Sequence, residues 1–395
     1  MEVNGGAELH CRLVAEHLAR DHDVEVLSSC ALDYISWRDH YPPGEENVNG
    51  VKLRRFRVRH TRDERRFGLI SHEVFGGPTS IAKQRIWLRE QGPFVEEMVE
   101  YLKANSDRYD ILIPYSFRYY HSYECVRHFP EKSILVPTAE PDPAVELSIF
   151  GDTFRKPRVI LYNTPESRQL IERAQHNGSV PGIVTGVGIE EHRPTADVKE
   201  TLARYSLNGQ PYIIYIGRID KNKGCDRMFD YYMTYLDQEG VPKPYLVLIG
   251  NNIIDIPDHP RIKHLGFVSL EDKLALLKGA QLLIMPSYLE SLSMVLLEAW
   301  AYKKPVLANG ESDVLRGQCM RASGGLYYRS KGEFIVSLRE LLSNEFLRSR
   351  LGSLGNKFFR INYSWGTIME KYEKAFEIAL GGRKTREKVA AHGQV

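Results

Sequence analysis

Short apolar runs rich in β-branched residues alternate with amphipathic segments along almost the whole chain. Runs this apolar predict strands buried on both faces, and a helix between successive strands predicts a parallel sheet with helices on both sides. The pattern occurs twice, before and after a glycine- and proline-rich seam near residues 184–194. The sequence therefore predicts an α/β chain with two parallel-sheet domains.

The predicted elements follow this alternation. The strands are predicted at Val24–Leu27, Ile111–Ile113, Ser133–Pro137, Val159–Tyr162, Tyr212–Ile216, Tyr245–Ile249, Leu282–Met285 and Val306–Ala308. The helices are predicted at Ala7–His22, Val95–Ala104, Asp226–Glu239, Glu271–Lys278, Met294–Tyr302 and Glu333–Leu342.

Length and composition fit two soluble domains. A chain of 395 residues exceeds what one hydrophobic core normally serves. We expect a first domain over residues 1–186, a second over 187–363, a last helix over 364–380 and a disordered tail over 381–395, which has little apolar content. No apolar run approaches the roughly 20 residues of a membrane span.

The charge and the cysteines narrow the class of protein further. A net charge of +2 gives no global reason to expect nucleic acid as a partner. The five cysteines are widely scattered and contain no C-x-x-C pair. That pattern disfavours both a zinc site and a disulfide framework, and it indicates a reducing cytoplasm.

The segment "YIIYIGRIDKNKGCDRMFDYY" carries the strongest local signal. A buried strand ends at Gly217, a polar loop holds Arg218 and Lys223, and a helix starts soon after Gly224. In an open parallel sheet, ligands bind where the loops leave the carboxyl ends of the strands. Arginine and lysine there suit phosphate oxygens, and a solvated basic loop is the structural alternative.

A second signal is the carboxylate pair in "MPSYLESLSMVLLEAWAYKKPVLA". Glu290 lies in a loop after a strand, and Glu298 lies near the second turn of the next helix, facing back toward the helix N-terminus. Carboxylates accept hydrogen bonds from adjacent sugar hydroxyls. The amides of Leu292, Ser293 and Met294 would face an anion there. Surface charge is the alternative interpretation of this pair.

Taken together, these motifs resemble the family 4 retaining glycosyltransferases of the GT-B fold. Three motifs of that family occur in the family's order: the Gly-Arg…Lys-Gly loop, "HLGFV" (264–268), and the E-x7-E motif that ends in "LLEAWAYKKPVLA". The segments "LYNTPESRQLI" and "YSWGTIMEKYE" also look like that family. The resemblance implies two Rossmann-like domains facing across a cleft, with the last helix packed back on the first domain.

The resemblance also implies roles for individual residues of the second domain. Arg218 and Lys223, after Gly217, would bind the donor diphosphate and stabilise its charge as the glycosidic bond breaks. Glu290 would contact the transferred sugar and Glu298 would hold the ribose. Backbone near Gly266 and Phe267 would border the base. The family needs no metal or other cofactor besides the nucleotide sugar, and it has no agreed protein nucleophile, so none is assigned here.

Two departures from the family pattern concern the site. Ser293 stands where many relatives have glycine, which a backbone amide contact tolerates. In "LVPTAEPDPAVEL", Glu140 and Asp142 occupy a loop where relatives often carry His-Asp-Glu facing the donor sugar. An acid there would change donor sugar or acceptor preference, and a solvated acidic loop is the alternative. The aromatic segment around Tyr115 would line an acceptor cleft or else pack on the sheet.

The opening "MEVNGGAELHCRLVAEHL" matches a glycine turn and helix that follow a buried strand in the resembled family. Gly5 and Gly6 would allow close backbone approach to the donor. The strand expected before them is missing, which predicts unpaired backbone groups and a first domain less stable than the second. Our sequence-based hypothesis is a miscalled start, which an in-frame strand-coding stretch upstream would support.

The basic stretch 52–66 and the biological setting give further predictions. The stretch would contact either a phosphorylated acceptor or an anionic membrane, and in the second case the protein would lie peripherally at the inner face of that membrane. An exposed strand face is the alternative interpretation. Glycan or lipid-linked acceptors of cell-envelope assembly fit the family. Two rival functions remain: a truncated protein that binds nucleotide sugar without catalysis, and a GT-B epimerase or phosphorylase.

Overall fold

The computed structural model describes residues 5–190 and 197–381, and the chain divides into two compact units. The first unit comprises Met1–Gly188 and Ile368–Val395, and the second comprises Ile189–Thr367. From sequence, the boundaries were placed after residues 186 and 363. Residues 1–4, before the opening helix, and residues 382–395 of the predicted tail lie outside the described part.

The helices and strands are numbered in chain order. The helices are α1 Gly6–Leu18, α2 Glu64–Phe75, α3 Ile81–Gln91, α4 Glu96–Asn105, α5 Tyr120–His128, α6 Gly151–Arg155, α7 Pro165–Gln175, α8 Val198–Arg204, α9 Cys225–Leu236, α10 Leu270–Gly279, α11 Met294–Ala301, α12 Asp313–Ala322, α13 Lys331–Ser343, α14 Glu345–Tyr363 and α15 Trp365–Leu380. The strands are β1 Glu25–Ser29, β2 Gly44–Val48, β3 Val51–Phe56, β4 Ile134–Leu135, β5 Val159–Tyr162, β6 Gly182–Val184, β7 Tyr212–Ile216, β8 Tyr245–Ile249, β9 Ile262–His264, β10 Leu283–Met285, β11 Val306–Asn309 and β12 Gly325–Tyr328.

The first unit contains two three-stranded sheets, in the orders β1-β3-β2 and β4-β5-β6. The second of these is parallel, whereas β2 pairs with β3 in antiparallel fashion. Asn49 and Gly50 connect β2 to β3 with φ values of 51° and 86°. Such a two-residue turn with positive φ values matches the right-handed twist of a hairpin. The prediction of purely parallel sheets was therefore wrong for this hairpin.

The predicted strand Ile111–Ile113 was also wrong, because this segment forms only an isolated bridge from Leu112 to Ser133. A cavity of about 990 Å³ separates the segment from β1, and residues 24–29 and 110–116 both line it. Within the described residues, β1 pairs only with β3 and leaves its other edge to the cavity. The side chains of β1 are consequently half-buried.

The second unit contains one six-stranded parallel sheet in the order β12-β11-β10-β7-β8-β9. Every residue of β7 is buried, which explains its unbroken apolar sequence, since helices cover both faces of the sheet. Tyr232 and Tyr235 of α9 and Phe334 of α13 pack in the core against β7 and β8. The strands predicted at Tyr212–Ile216 and Tyr245–Ile249 are confirmed residue for residue.

Helix α15 contributes most of its length to the first unit. Its Tyr372 is fully buried and shares a hydrogen bond of 3.0 Å with the hydroxyl of Tyr115. Lys371 donates to the carbonyl of Thr185 at 3.2 Å. Among the described helices, α15 included, none is long and apolar enough to cross a bilayer.

Hydrogen exchange should show the first unit's sheet to be weakest beside the cavity. The amides of β1 should exchange faster than those of β7, because β1 is half-buried and, among the described strands, only β3 pairs with it. Mass spectrometry of exchanged peptides measures this. Strand β5, buried in the same unit, is the control. Equal exchange rates for the amides of β1 and β7 would contradict the prediction. Equally fast exchange in β1 and β5 would indicate that the whole first unit opens.

Candidate functional site

The site predicted in the second unit lies where the strand order reverses. Strand β7 has β8 on one side, which follows it in sequence, and β10 on the other. The loops that leave β7 and β10 therefore diverge from adjacent strand ends and create a crevice there. The loop after β7 carries Arg218 and Lys223, and the loop after β10 carries Glu290.

Glycines allow the backbone of these loops to pack closely. Gly217 follows β7 with φ 152°, and a Cβ on Gly250, which follows β8, would overlap the carbonyl oxygen of Gly217. Gly224, with φ 71°, caps α9, and a Cβ there would overlap the carbonyl oxygen of Pro286 after β10. The β7 loop is thus closed directly onto the β10 loop by a position that requires glycine.

A buried acid holds the two predicted phosphate-binding residues in place. Asp220 is 5% exposed, and its carboxylate accepts hydrogen bonds from Nε of Arg218 and from the backbone N–H of Lys223, the latter at 2.7 Å. Sequence reasoning missed Asp220. The available signal was an Asp three residues before Lys223 in a loop, the spacing at which an Asp side chain caps the backbone of a following turn.

Lys223 and Glu290, which lie in the loops after β7 and β10, form an ion pair in the structure. The Nζ of Lys223 lies 2.8 Å from Oε1 of Glu290, which is 9% exposed. The side chain of Lys223 is about a third exposed. The ammonium of Lys223 is therefore paired with the buried carboxylate of Glu290 and is also accessible to solvent.

The N-terminus of α11 follows Glu290 directly. Ser293 caps it, with its hydroxyl accepting from the N–H of Leu296 at 3.3 Å. Among the described residues, the N–H groups of Leu292 and Met294 have no hydrogen-bond acceptor. These amides add a partial positive charge at the mouth of the crevice.

Gln318 of α12 lies behind this turn and was not predicted. It is fully buried, and its Oε1 lies 3.5 Å from the N–H of Ser293. Within the described residues, its Nε2 has no hydrogen-bond partner. Its sequence neighbourhood carries no recognisable signal, because only the packing of α12 brings it beside α11.

Glu298 has a different lysine partner from Glu290. Nζ of Lys273, in the first turn of α10, lies 2.8 and 3.0 Å from the two oxygens of Glu298. Sequence reasoning missed Lys273. A lysine in the first turn of a helix opposes the helix dipole, and that unfavourable placement was a usable signal.

The predicted base-side loop precedes α10. Gly266 has φ 66°, and its carbonyl accepts from the N–H of Gly250 at 2.9 Å. Phe267 is 74% exposed. The loop therefore presents an aromatic ring to solvent at the carboxyl edge of the sheet, next to the Gly217–Gly250 contact.

The predicted acceptor-side residues lie in the first unit. Asp142 forms an ion pair with Arg118 and accepts from the N–H of Ala144 at 2.7 Å. Glu140 is half-buried in the same loop. Burial and the neighbouring Tyr372 hydroxyl raise the pKa of Tyr115 well above its ordinary value. The acceptor-side roles of these residues stay predictions.

Gly5 and Gly6 begin α1. Gly5 is its N-cap in an extended conformation, and a Cβ on Gly5 would overlap the carboxylate of Glu8. Gly6 has open space around its α-carbon. Burial raises the pKa of Glu8, which also lines the cavity. The donor contact of the two glycines stays a prediction.

The basic stretch 52–66 is largely neutralised by acids. Most of its cations have an acidic partner; the pairs are Lys52 and Arg54 with Glu25 and Glu45, Arg55 with Glu46, Arg59 with Glu96, and Arg66 with Glu90. Such internal pairing leaves less charge for an anionic membrane. The alternative of an exposed strand face is not confirmed either, because β3 covers only Val51–Phe56 and its side chains are buried or half-buried. Membrane contact stays a prediction.

Comparisons with known proteins bear on the fold and the chemistry. Residues 198–358 match the family model described as glycosyl transferases group 1. An uncharacterized glycosyltransferase of Methanocaldococcus jannaschii is 22% identical, over 96% of this chain and 95% of the relative.

Two solved structures resemble the chain over nearly its whole length. Sucrose-phosphate synthase from Thermosynechococcus elongatus has a TM-score of 0.71 at 15% identity, covering 97% of this chain and 96% of that one. HepE from Anabaena, solved in complex with UDP, has a TM-score of 0.68 at 13% identity, covering 94% and 96%.

These findings confirm the predicted resemblance. The chain has the GT-B fold with Rossmann-like α/β domains, it is similar to family 4 glycosyltransferases, and part of its second unit matches the glycosyl transferases group 1 model. The matched segment contains Arg218, Lys223, Glu290 and Glu298. Glycosyl transfer is the chemistry that this match supports.

Replacing Gly224 with Ala should destabilise the protein by about 3 kcal/mol, because the substitution adds both positive-φ strain and overlap with a backbone carbonyl. Denaturant unfolding measures the loss. Gly209→Ala is the matched control: Gly209 has φ 68° but open space, so it should lose only about 1 kcal/mol. Equal losses would show that the contact with Pro286 contributes nothing.

Proposed function

We propose that the protein is a retaining, metal-independent glycosyltransferase. It takes a sugar from a nucleotide-diphosphate sugar and transfers it to a hydroxyl of a glycan, a lipid-linked sugar or another acceptor. The donor binds mainly to the second unit, in the crevice between the loops after β7 and β10.

The contact of Lys223 with Glu290 is the observation that carries this proposal. It joins a cation that can bind phosphate, on one loop, to a carboxylate that can accept hydrogen bonds from sugar hydroxyls, on the other. Both loops lie where the strand order of the sheet reverses. A donor has the same two chemistries side by side, since its diphosphate is bonded to its sugar. Arg218 adds a second cation, held by Asp220 on the same loop.

Each donor group then has a matching partner. Arg218, Lys223 and the amides of Leu292 and Met294 bind the diphosphate, and Glu290 accepts hydrogen bonds from the transferred sugar. Glu298 accepts from the ribose hydroxyls, and Phe267 borders the base. HepE, which has a similar fold, was solved in complex with UDP, and this supports a nucleotide ligand for the chain.

Charge stabilisation is the main chemical contribution. The bond between the anomeric carbon and the phosphate oxygen breaks with its electron pair on the departing diphosphate. The acceptor oxygen forms the new bond to the anomeric carbon, and its hydroxyl proton passes to the departing diphosphate or to solvent. Two cations and two backbone amides that bind the diphosphate stabilise its charge and so lower the energy of the transition state. They supply the charge that a divalent metal would otherwise provide. No protein nucleophile is assigned.

The acceptor side rests on weaker observations. The acidic loop with Glu140 and Asp142 and the aromatic segment with Tyr115 stay its proposed residues. Cell-envelope glycan assembly in the cytoplasm fits the resembled family, and the five free cysteines are compatible with a reducing compartment. The base, the sugar and the acceptor are left to experiment.

Thermal unfolding with UDP, GDP and ADP and their common sugar conjugates tests donor binding. A ligand at about 100 times its dissociation constant should stabilise the protein by roughly 2.7 kcal/mol. A shift with one base and none with the others identifies the nucleotide. If none of them shifts a cooperative transition, the proposed donor site is wrong.

Substitution of the site residues tests catalysis. Lys223→Ala and Arg218→Ala should each lower kcat/KM for sugar transfer by about 100-fold or more, because each removes a charge that stabilises the leaving group. Lys221→Ala is the matched control, since Lys221 is exposed on the same loop. Near-wild-type turnover in both site variants would refute the site.

The non-catalytic alternative is separated by combining the two assays. The protein would be a binding protein if it binds nucleotide sugar tightly but neither hydrolyses the sugar nor transfers it to any of the acceptor classes tested. Formation of free nucleoside diphosphate, dependent on Lys223, would exclude that alternative.

A further inference from the structure

We propose that Lys273 is a positioning residue for the nucleotide: it orients the carboxylate of Glu298 so that both ribose hydroxyls can hydrogen-bond to it. This inference rests on the proposed function, in which Glu298 binds the ribose. The role of Lys273 is not part of that proposal or of any motif identified above.

The geometry of the ion pair is the first observation. The ammonium of Lys273 lies almost equally far from the two oxygens of Glu298, at 2.8 and 3.0 Å. It therefore holds the carboxylate with both oxygens turned toward the ammonium, which sets the direction in which the carboxylate points. An ionised carboxylate has about four acceptor sites, so two remain after both oxygens accept from the ammonium. A ribose offers two adjacent hydroxyls, which matches that number.

Burial is the second observation. The side chains are 21% exposed for Lys273 and 14% for Glu298. Water competes less effectively for a charge-assisted contact that is shielded to this degree than for one on an open surface. The contact therefore limits the rotamers of Glu298 before any ligand arrives, which reduces the ordering cost of binding.

The position of Lys273 on α10 is the third observation. A lysine one turn into a helix is unfavourable for the helix itself, since the N-terminus already carries positive partial charge. Glu271 and Asp272 in the same turn follow the usual preference. The lysine is therefore explained by its partner on α11 rather than by its own helix.

The first turn of α10 is also held in place by hydrogen bonds, so the backbone that carries the side chain of Lys273 has a fixed position. Ser269 caps the helix through the N–H of Asp272 at 3.0 Å. The carboxylate of Asp272 accepts from Arg204 at 2.8 Å and from the hydroxyl of Tyr205 at 2.9 Å. This turn directly follows the loop of Gly266 and Phe267. The same anchored segment thus links the proposed base contact to the proposed ribose contact.

The test compares ribose and deoxyribose nucleotides. The probe is whichever of UDP, GDP or ADP gives the largest thermal shift, together with its 2′,3′-dideoxy form, and calorimetry measures the dissociation constants. The wild-type protein should prefer the ribonucleotide by tenfold or more. Lys273→Met should bind the ribonucleotide about tenfold more weakly and change its affinity for the dideoxy form by less than threefold. A merely structural role would weaken both ligands alike.

Three variants complete the design. Lys273→Arg retains a bidentate donor and should keep most of the ribose preference. Lys278→Met removes an exposed lysine of the same helix and should match wild type. The double variant Lys273→Met/Glu298→Gln should be no worse than Glu298→Gln alone, because Lys273 acts through Glu298 and the effects do not add.

The outcomes separate the two proposals. If Glu298→Gln loses the ribose preference and Lys273→Met keeps it, the positioning role is overturned and the proposed function stands. If Glu298→Gln keeps the preference, or if no nucleotide binds, the ribose site itself is wrong and the role of Lys273 falls with it.

Discussion

The buried carboxylate of Asp220 is the contact on which the proposed donor chemistry depends. It binds the guanidinium of Arg218 with one oxygen and the backbone N–H of Lys223 with the other, so a single side chain orients the first cation and fixes the backbone that carries the second. Neither cation lies in a regular helix or strand, so the loop conformation that positions them depends on this acid. Pre-organisation of this kind matters because charge stabilisation works only when the dipoles and charges need not reorganise during the reaction.

Acids balance the cations of this site in the absence of ligand. Lys223 is paired with Glu290, Lys273 with Glu298, and Arg218 with Asp220. Burying an unpaired charge is far more costly than burying a pair, so this balance lets several charges share one half-buried crevice. A donor diphosphate would then share Lys223 with Glu290 rather than fill an empty site. The competition with Glu290 weakens the attraction between Lys223 and the diphosphate. In return, the site favours a ligand that has both a phosphate for Lys223 and hydroxyls for Glu290.

The two units meet the demands of a parallel sheet in different ways. In the second unit, six strands pair continuously, and the loops at their carboxyl ends are closed by glycine contacts such as Gly224 on Pro286. In the first unit, β1 borders a cavity of about 990 Å³, and the hairpin of β2 and β3 extends the sheet at the other edge. The ion pairs of β3 with Glu25, Glu45 and Glu46 hold that hairpin together. The basic stretch thus has a structural use that its composition did not reveal.

The sequence by itself determined the α/β class, four of the six strands of the second sheet, and the placement of Lys223 and Glu290 in loops that follow two of those strands. Buried parallel strands need continuous apolar runs, and ligand loops follow strand ends, so both leave local signals. Sequence did not determine Asp220, Lys273 or Gln318 as parts of the site, nor the hairpin at Asn49 and Gly50. Lys273 and Glu298 are 25 residues apart on different helices, and Gln318 reaches Ser293 across the same separation. Only the packing of α10, α11 and α12 brings such side chains together, because no periodicity within one element encodes which neighbour it will meet.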